Sequence, residues 1–275
     1  MMTNRWKTVL ALALGATLAV PALQAQKAPQ PKSQKELAAL QAVQAATTPD
    51  EQIKAIDSVL ENFADTEFKV TLLQLGMQAA EKKNDYPLTV TYAERILEVE
   101  PKNVFALSTL ASQMAGHTRE FDLDKEEKLA KAEKYANETI ADAPTAPKPN
   151  PNLTDDQWNN AKKDFAADAH GILGQIAILR KKYDVAISEL KTAVDTGSPN
   201  AITMARLGDA YLDAGKFDDA IEIFDKAAAL PDASAPVKAF INAKKANAVK
   251  LKAAANKTAA PATATPPAAT TPPSQ

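Results

Sequence analysis

Imidazole is the commonest protein general base and a frequent metal ligand, so His117 and His170, the only histidines in the chain, are the first candidates for chemistry. Neither has a cysteine or a carboxylate cluster at ligand spacing, and the pattern does not spell a metal centre. Asp122-x-Asp124 with Glu126 and Glu127 resembles part of a calcium loop, but the central glycine and a correctly spaced terminal glutamate are missing. It reads as a solvated acidic loop. There is no G-x-S-x-G, no glycine-rich phosphate loop and no nucleophile beside a base. The paired carboxylates Asp155-Asp156 and Asp218-Asp219 fall where helices begin, and there they favour the helix dipole. No catalytic set, metal or cofactor is expected, and the chain reads as non-enzymatic.

The elements that would carry any site are helical. Aromatic residues make up 5% of the 275-residue chain against 45% hydrophobic overall, so the core must be built mainly from Ala, Leu, Ile and Val. Thr48-Pro49-Asp50-Glu51 and Thr154-Asp155-Asp156-Gln157 each place a capping threonine three residues before Glu or Gln. No segment combines sustained strand alternation with turn chemistry, and the predicted class is all-α.

Arg5 and Lys7 precede the apolar run Val9 to Val20, followed by Pro21 and small residues ending at Ala25, which is the pattern of a secretory signal peptide. The run is too short to span a bilayer and no later stretch could, so no transmembrane segment is expected. Losing two positive and no negative charges with residues 1–25 would move the formal charge from -2 to -4. A mildly acidic chain offers no electrostatic footprint for nucleic acid. Cysteine is absent, so neither a disulfide nor a lipoprotein anchor is expected. The predicted location is the periplasm or the exterior.

The organisation follows from composition. Residues 1–25 are the signal, 26–33 a disordered leader, 34–143 a first helical block, 144–153 a Pro-rich linker, 154–252 a second block, and 253–275 a disordered Ala/Thr/Pro tail. Gly116 to Glu127 is read as an inserted loop. Trp158, Phe165, Ala169, Ile172 and Ile176 make one helical stripe, so the first helix of the second block should be unusually long, with Trp158 packed under the linker. Ser234 to Lys252 carries Val237, Phe240, Ile241, Ala248 and Leu251 as one stripe and five lysines without an acid. It reads as a terminal capping helix; an anionic-surface binder is the other possibility.

An internal repeat ties these helices together. Leu173-Gly174 and Leu207-Gly208 are 34 residues apart, as are Tyr183 and Phe217, Ala186 and Ala220, Leu190 and Phe224, and Ala193 and Ala227. Met204-x2-Leu207-Gly208-x2-Tyr211 with Ala220-x3-Phe224 resembles the tetratricopeptide repeat family, of an exported bacterial type. Degraded copies lie upstream, at Leu72-x2-Leu75-Gly76 with Tyr86 and Pro101, and at Leu107-x2-Leu110-Ala111 with Ala132 and Pro144.

The resemblance implies a right-handed solenoid of antiparallel helix pairs, whose first helices line a groove that holds a peptide or protein segment. In that register Gln175, Ile178, Leu179, Arg206, Asp209, Leu212 and Asp213 face the groove, and they are the partner-binding candidates. A cell-envelope scaffold follows. The alternative is an accessory or enzymatic protein using the 116–127 loop and the 144–153 linker as its site.

Overall fold

The computed structural model describes residues 29–150 and 152–259; the expected signal peptide and the tail beyond 259 lie outside the described residues. Eleven α-helices and no strand are found among them. The helices are α1 (Gln34–Ala45), α2 (Pro49–Asn62), α3 (Lys69–Lys82), α4 (Tyr86–Val99), α5 (Val104–Gly116), α6 (Lys125–Asp142), α7 (Asp155–Leu179), α8 (Tyr183–Thr196), α9 (Ala201–Asp213), α10 (Phe217–Ala229) and α11 (Ala235–Ala259). Both expected capping boxes are present: Thr48 and Thr154 accept from the backbone N–H of Glu51 and Gln157, whose side chains accept in return. Two orphan donors are satisfied at each helix start.

The chain forms two compact units, Met1–Pro199 and Asn200–Gln275. Within each, successive helices pack as antiparallel pairs joined by three-residue turns, α3/α4 and α7/α8 in the first unit and α9/α10 in the second. The middle turn residue adopts positive φ each time, at Asn84, Lys181 and Gly215. The following N–H then reaches back past the turn into the helix, from Asp85 to Ala80, Lys182 to Ala177 and Lys216 to Tyr211. This double-bonded ending closes a helix and reverses the chain in the fewest residues.

Contact within each pair depends on a glycine. A Cβ on Gly76 would lie 2.7 Å from the Tyr92 ring, one on Gly174 2.5 Å from Leu190 Cγ, and one on Gly208 2.5 Å from Phe224 Cε1. Tyr92, Leu190 and Phe224 are themselves fully buried, so none can retreat. Gly208, a helix-weakening residue in mid-helix, is therefore retained for close packing.

The insertions are built onto the first unit. Between α5 and α6 the irregular chain spans only 117–124, because Lys125, Glu126 and Glu127 of the expected loop already open α6. The long helix α7 is as anticipated. Trp158 is 4% exposed, stacks on Phe105 at 6.2 Å and donates its indole N–H to Ala146 O at 2.9 Å. Lys162 donates to Pro144 O, and Lys148 pairs with Asp155. The Pro-rich segment is thus fastened to α7 inside one compact unit, and the boundary between units falls at Pro199 instead.

Both ends depart from expectation. Residues 29–33, placed in the disordered leader, are held: Gln30 N donates to Glu67, Lys32 pairs with Asp65 at 2.7 Å, and Ser33 caps α1. Glu36 is 1% exposed and accepts from Thr66 Oγ1 and Lys32 N, each at 2.6 Å. The composition of residues 26–33 hides these partners because they come from a turn well downstream in the chain. At the other end α11 runs on to Ala259, since Ala253-Ala254-Ala255 favours helix after the expected stop at 252. Its stripe also splits. Ile241 and Ala248 are fully buried, whereas Phe240 and Leu251 are 53% and 40% exposed. Lys245 and Lys252 pair with Asp225 and Asp218 of α10.

Gly208→Ala should lower the unfolding free energy by about 1–3 kcal/mol, the cost of overpacking a full core. Gly116→Ala, whose new methyl group would meet nothing within 4 Å, should raise it by roughly 0.4–1 kcal/mol by restricting the unfolded chain. Urea unfolding of the two variants checks both signs.

Candidate functional site

The first unit brings together Gln175, Ile178 and Leu179 on α7, and the second brings together Arg206, Asp209, Leu212 and Asp213 on α9. Each pair of equivalents is 34 residues apart, so Gln175 matches Asp209, Ile178 matches Leu212 and Leu179 matches Asp213.

On α7 the three residues differ in availability. The Gln175 amide donates to Ala115 O at 3.3 Å, tying α7 to the last turn of α5. Ile178 is half-buried, and Leu179 packs against the core while its carbonyl accepts from Lys125 Nζ at 2.8 Å. Leu179 also borders a cleft of about 530 Å³ completed by Arg180–Lys182, Glu120, Phe121, Lys125 and Glu126. Arg180 holds the cleft together, bonding Glu126 at 3.0 Å and Glu133 at 2.7 Å, and Lys181 pairs with Glu120 at 2.9 Å. The inserted loop is thereby fixed to the α7/α8 turn, yet its Phe121 and Leu123 are 88% and 107% exposed. Residue types alone did not link Leu179 to this loop; the joining residues are cations and acids far apart in sequence.

On α9 the aspartates are the informative pair. Lys244 Nζ of α11 lies 3.1 Å from Asp209 Oδ1, an ion pair in which that buried oxygen accepts no well-directed hydrogen bond. Burial pushes the Asp209 carboxyl above the usual aspartate range; Lys244 opposes the rise and Asp213 adds to it. Burial likewise raises Asp213, again against Lys244. Leu212 is half-buried and Arg206 partly so.

The two histidines are occupied structurally. His117 stacks on Tyr86 at 4.2 Å between ring centroids, and His170 Nδ1 lies 2.8 Å from Glu189 Oε2. Among the described residues no group of three or more His, Cys, Asp or Glu is placed to hold a metal, and no helix is long and apolar enough to cross a membrane.

A sequence model described as tetratricopeptide repeat matches residues 173–236, from the last turns of α7 to the start of α11. No curated protein matches the chain. Among solved structures, the chain is similar to a thermophilic TPR protein of Thermus thermophilus, with 15% identity, 78% of this chain and 99% of that chain covered, and a TM-score of 0.50. It is also similar to the MamA RS-1 ArsTM double mutant, with 17% identity, 71% and 93% covered, and a TM-score of 0.52. At such identities the likeness is one of fold. Residues 173–236 thus carry the tetratricopeptide repeat, and the glycine contact recurring in three helix pairs accompanies an all-helical, TPR-like fold.

Proposed function

We propose that the chain is a non-enzymatic interaction scaffold of the bacterial cell envelope that holds a segment of a partner protein against the open faces of its first helices. Tetratricopeptide repeats in general mediate protein–protein interaction, and their first helices supply the contact faces. One observation carries the reading to this chain. Ile178 and Leu212 occupy the same position in consecutive repeats, and both remain half-buried on helices whose neighbouring apolar residues, Ile176 and Leu207, are closed into the core. Apolar side chains left half-open at a repeating position suit contact with another chain.

Gln175 and Asp209 have a second duty, bridging first helices through Ala115 and Lys244. The contact role therefore rests on Ile178 and Leu179 in the first unit and on Leu212 and Asp213 in the second, where Arg206 lies on the same helix. The loop-built alternative has its own observation, the cleft at Leu179, Arg180 and Phe121. Of its charged lining, Glu120, Glu126, Arg180 and Lys181 are engaged in ion pairs, and it holds no nucleophile with a base, which suits contact rather than bond-making. Export is supported by residues 1–25, and the lack of any cysteine argues against a lipid anchor.

A photo-crosslinking amino acid placed at Ile178 or Leu212 should capture a partner from the native envelope, and Ile178→Glu with Leu212→Glu should abolish capture while lowering stability by only about 1 kcal/mol per site, the part of an apolar side chain's burial that is lost. Capture from Phe121 alone would move the site to the inserted loop. Intact mass of the protein isolated from its own host should correspond to loss of residues 1–25; retention of Met1 would reject export by this signal. The Asp209 pair gives a pH test. Its folded-state pKa lies above the unfolded value, so the folded chain retains that proton between the two values and stability is gained as pH falls through that window. The difference in unfolding free energy, wild type minus Asp209→Asn, should therefore rise as pH is lowered from neutral to about 4. A flat difference would show that Asp209 titrates as it does in the unfolded chain.

A further inference from the structure

The 34-residue phase does not stop at α10. Leu173, Leu207 and Ile241 are successive equivalents, all on first-helix positions, and Ile241 is as fully buried as Leu207. α11 begins 34 residues after α9, so it stands as the first helix of one more repeat. Where Gly174 and Gly208 admit the side chain of a second helix, α11 has Asn242, and that residue is exposed. No second helix is seated on it among the described residues.

In this phase Arg206, Asp209 and Asp213 of α9 correspond to Phe240, Ala243 and Asn247 of α11. The same face thus continues onto α11, where it changes character. Phe240, Ala243, Asn247 and Leu251 follow one another at helical spacing over about 16 Å, all exposed. The Lys244 ammonium borders one side, 5.4 Å from the Phe240 ring centroid and paired with Asp209. Lys250 and Lys257, seven residues apart, border the other side, and neither has an ion-pair partner among the described residues. No acid occurs anywhere from Ala233 to Gln275.

We infer that this flank of α11 docks an acidic amphipathic helical segment of a partner protein, with Phe240 and Leu251 as apolar contacts and Lys250 and Lys257 facing its carboxylates. The inference rests on the segment-binding function proposed above and gives that segment its chemistry. A helix fits because the contact residues recur every three or four positions along a straight line, with small Ala243 between Phe240 and Leu251 allowing close approach. A second copy of this chain fits poorly, since pairing α11 with itself would set lysine rows together without one compensating acid. A bilayer surface fits poorly too, because only Phe240 and Leu251 offer large apolar side chains on this flank.

The test uses the full chain lacking residues 1–25 and three probes: a helical Leu/Ala/Glu amphipathic peptide, the same peptide with Lys for every Glu, and phosphatidylglycerol vesicles. The acidic peptide should bind about tenfold or more tightly than its lysine counterpart, and Lys250→Glu with Lys257→Glu should reverse that preference. Leu251→Asp should weaken binding at unchanged helical content by circular dichroism. Equal binding of the two peptides, or insensitivity to these variants, overturns the inference. So does binding to vesicles without binding to the acidic peptide, or self-association abolished by Phe240→Ala. If the charge variants leave capture from Ile178 and Leu212 intact, the segment-binding function stands and only the α11 contact fails.

Discussion

A hydrogen atom in place of a methyl group is the constraint on which three of the helix pairs depend. At Gly76, Gly174 and Gly208 the first helix lacks the one side-chain carbon that would strike Tyr92, Leu190 or Phe224. The large side chain then seats on the backbone of its partner helix, and a fully buried contact forms at the same place in three pairs. A mid-helix glycine sacrifices roughly 1 kcal/mol of helix propensity relative to alanine, and burial of a side chain such as Phe224 returns about 1.5–3 kcal/mol. The balance favours the pair over either helix alone, which explains why the large residue of the second helix differs among these three pairs while the glycine is kept; α5 carries Ala111 at this position instead.

That packing rule leaves surfaces over rather than creating them. Once Leu207 is closed into the core and Gly208 faces its own second helix, the remaining arc of that first helix has no partner within the repeat. Leu212 lies on that arc and Ile178 at the matching position of α7, and Phe240 and Leu251 lie on its continuation along α11. The insertion between α5 and α6 adds a different kind of surface, in which Arg180 gathers Glu126 and Glu133 of α6 while Lys181 holds the loop through Glu120.

The pairing of helices is legible from sequence because it is periodic: a glycine, an alanine and a large apolar residue recur at fixed offsets, and both capping boxes announce their helices locally. The candidate site is legible only as a set of positions. That Gln175 bonds Ala115, and that Lys244 pairs with Asp209, depends on which turns of neighbouring helices come level, and no local pattern encodes this. The same limit hides the binding of residues 29–33 to the α2/α3 turn, through Lys32 with Asp65 and Glu36 with Thr66. On α11 the apolar residues are helical in spacing, but an arc spanning both Ile241 and Phe240 is wider than the surface available to bury it.

Trp158 gives the two compact units separate optical identities. The chain has two tryptophans, and the other, Trp6, belongs to the segment expected to be cleaved, so a processed chain emits from a single indole. That indole is stacked on Phe105, bonded to Ala146 and located wholly within the unit that ends at Pro199. Its emission reports the melting of the first unit alone, whereas far-ultraviolet ellipticity sums the helices of both. Comparing the two signals in one unfolding experiment measures whether the second unit shares the first unit's cooperativity or unfolds on its own terms.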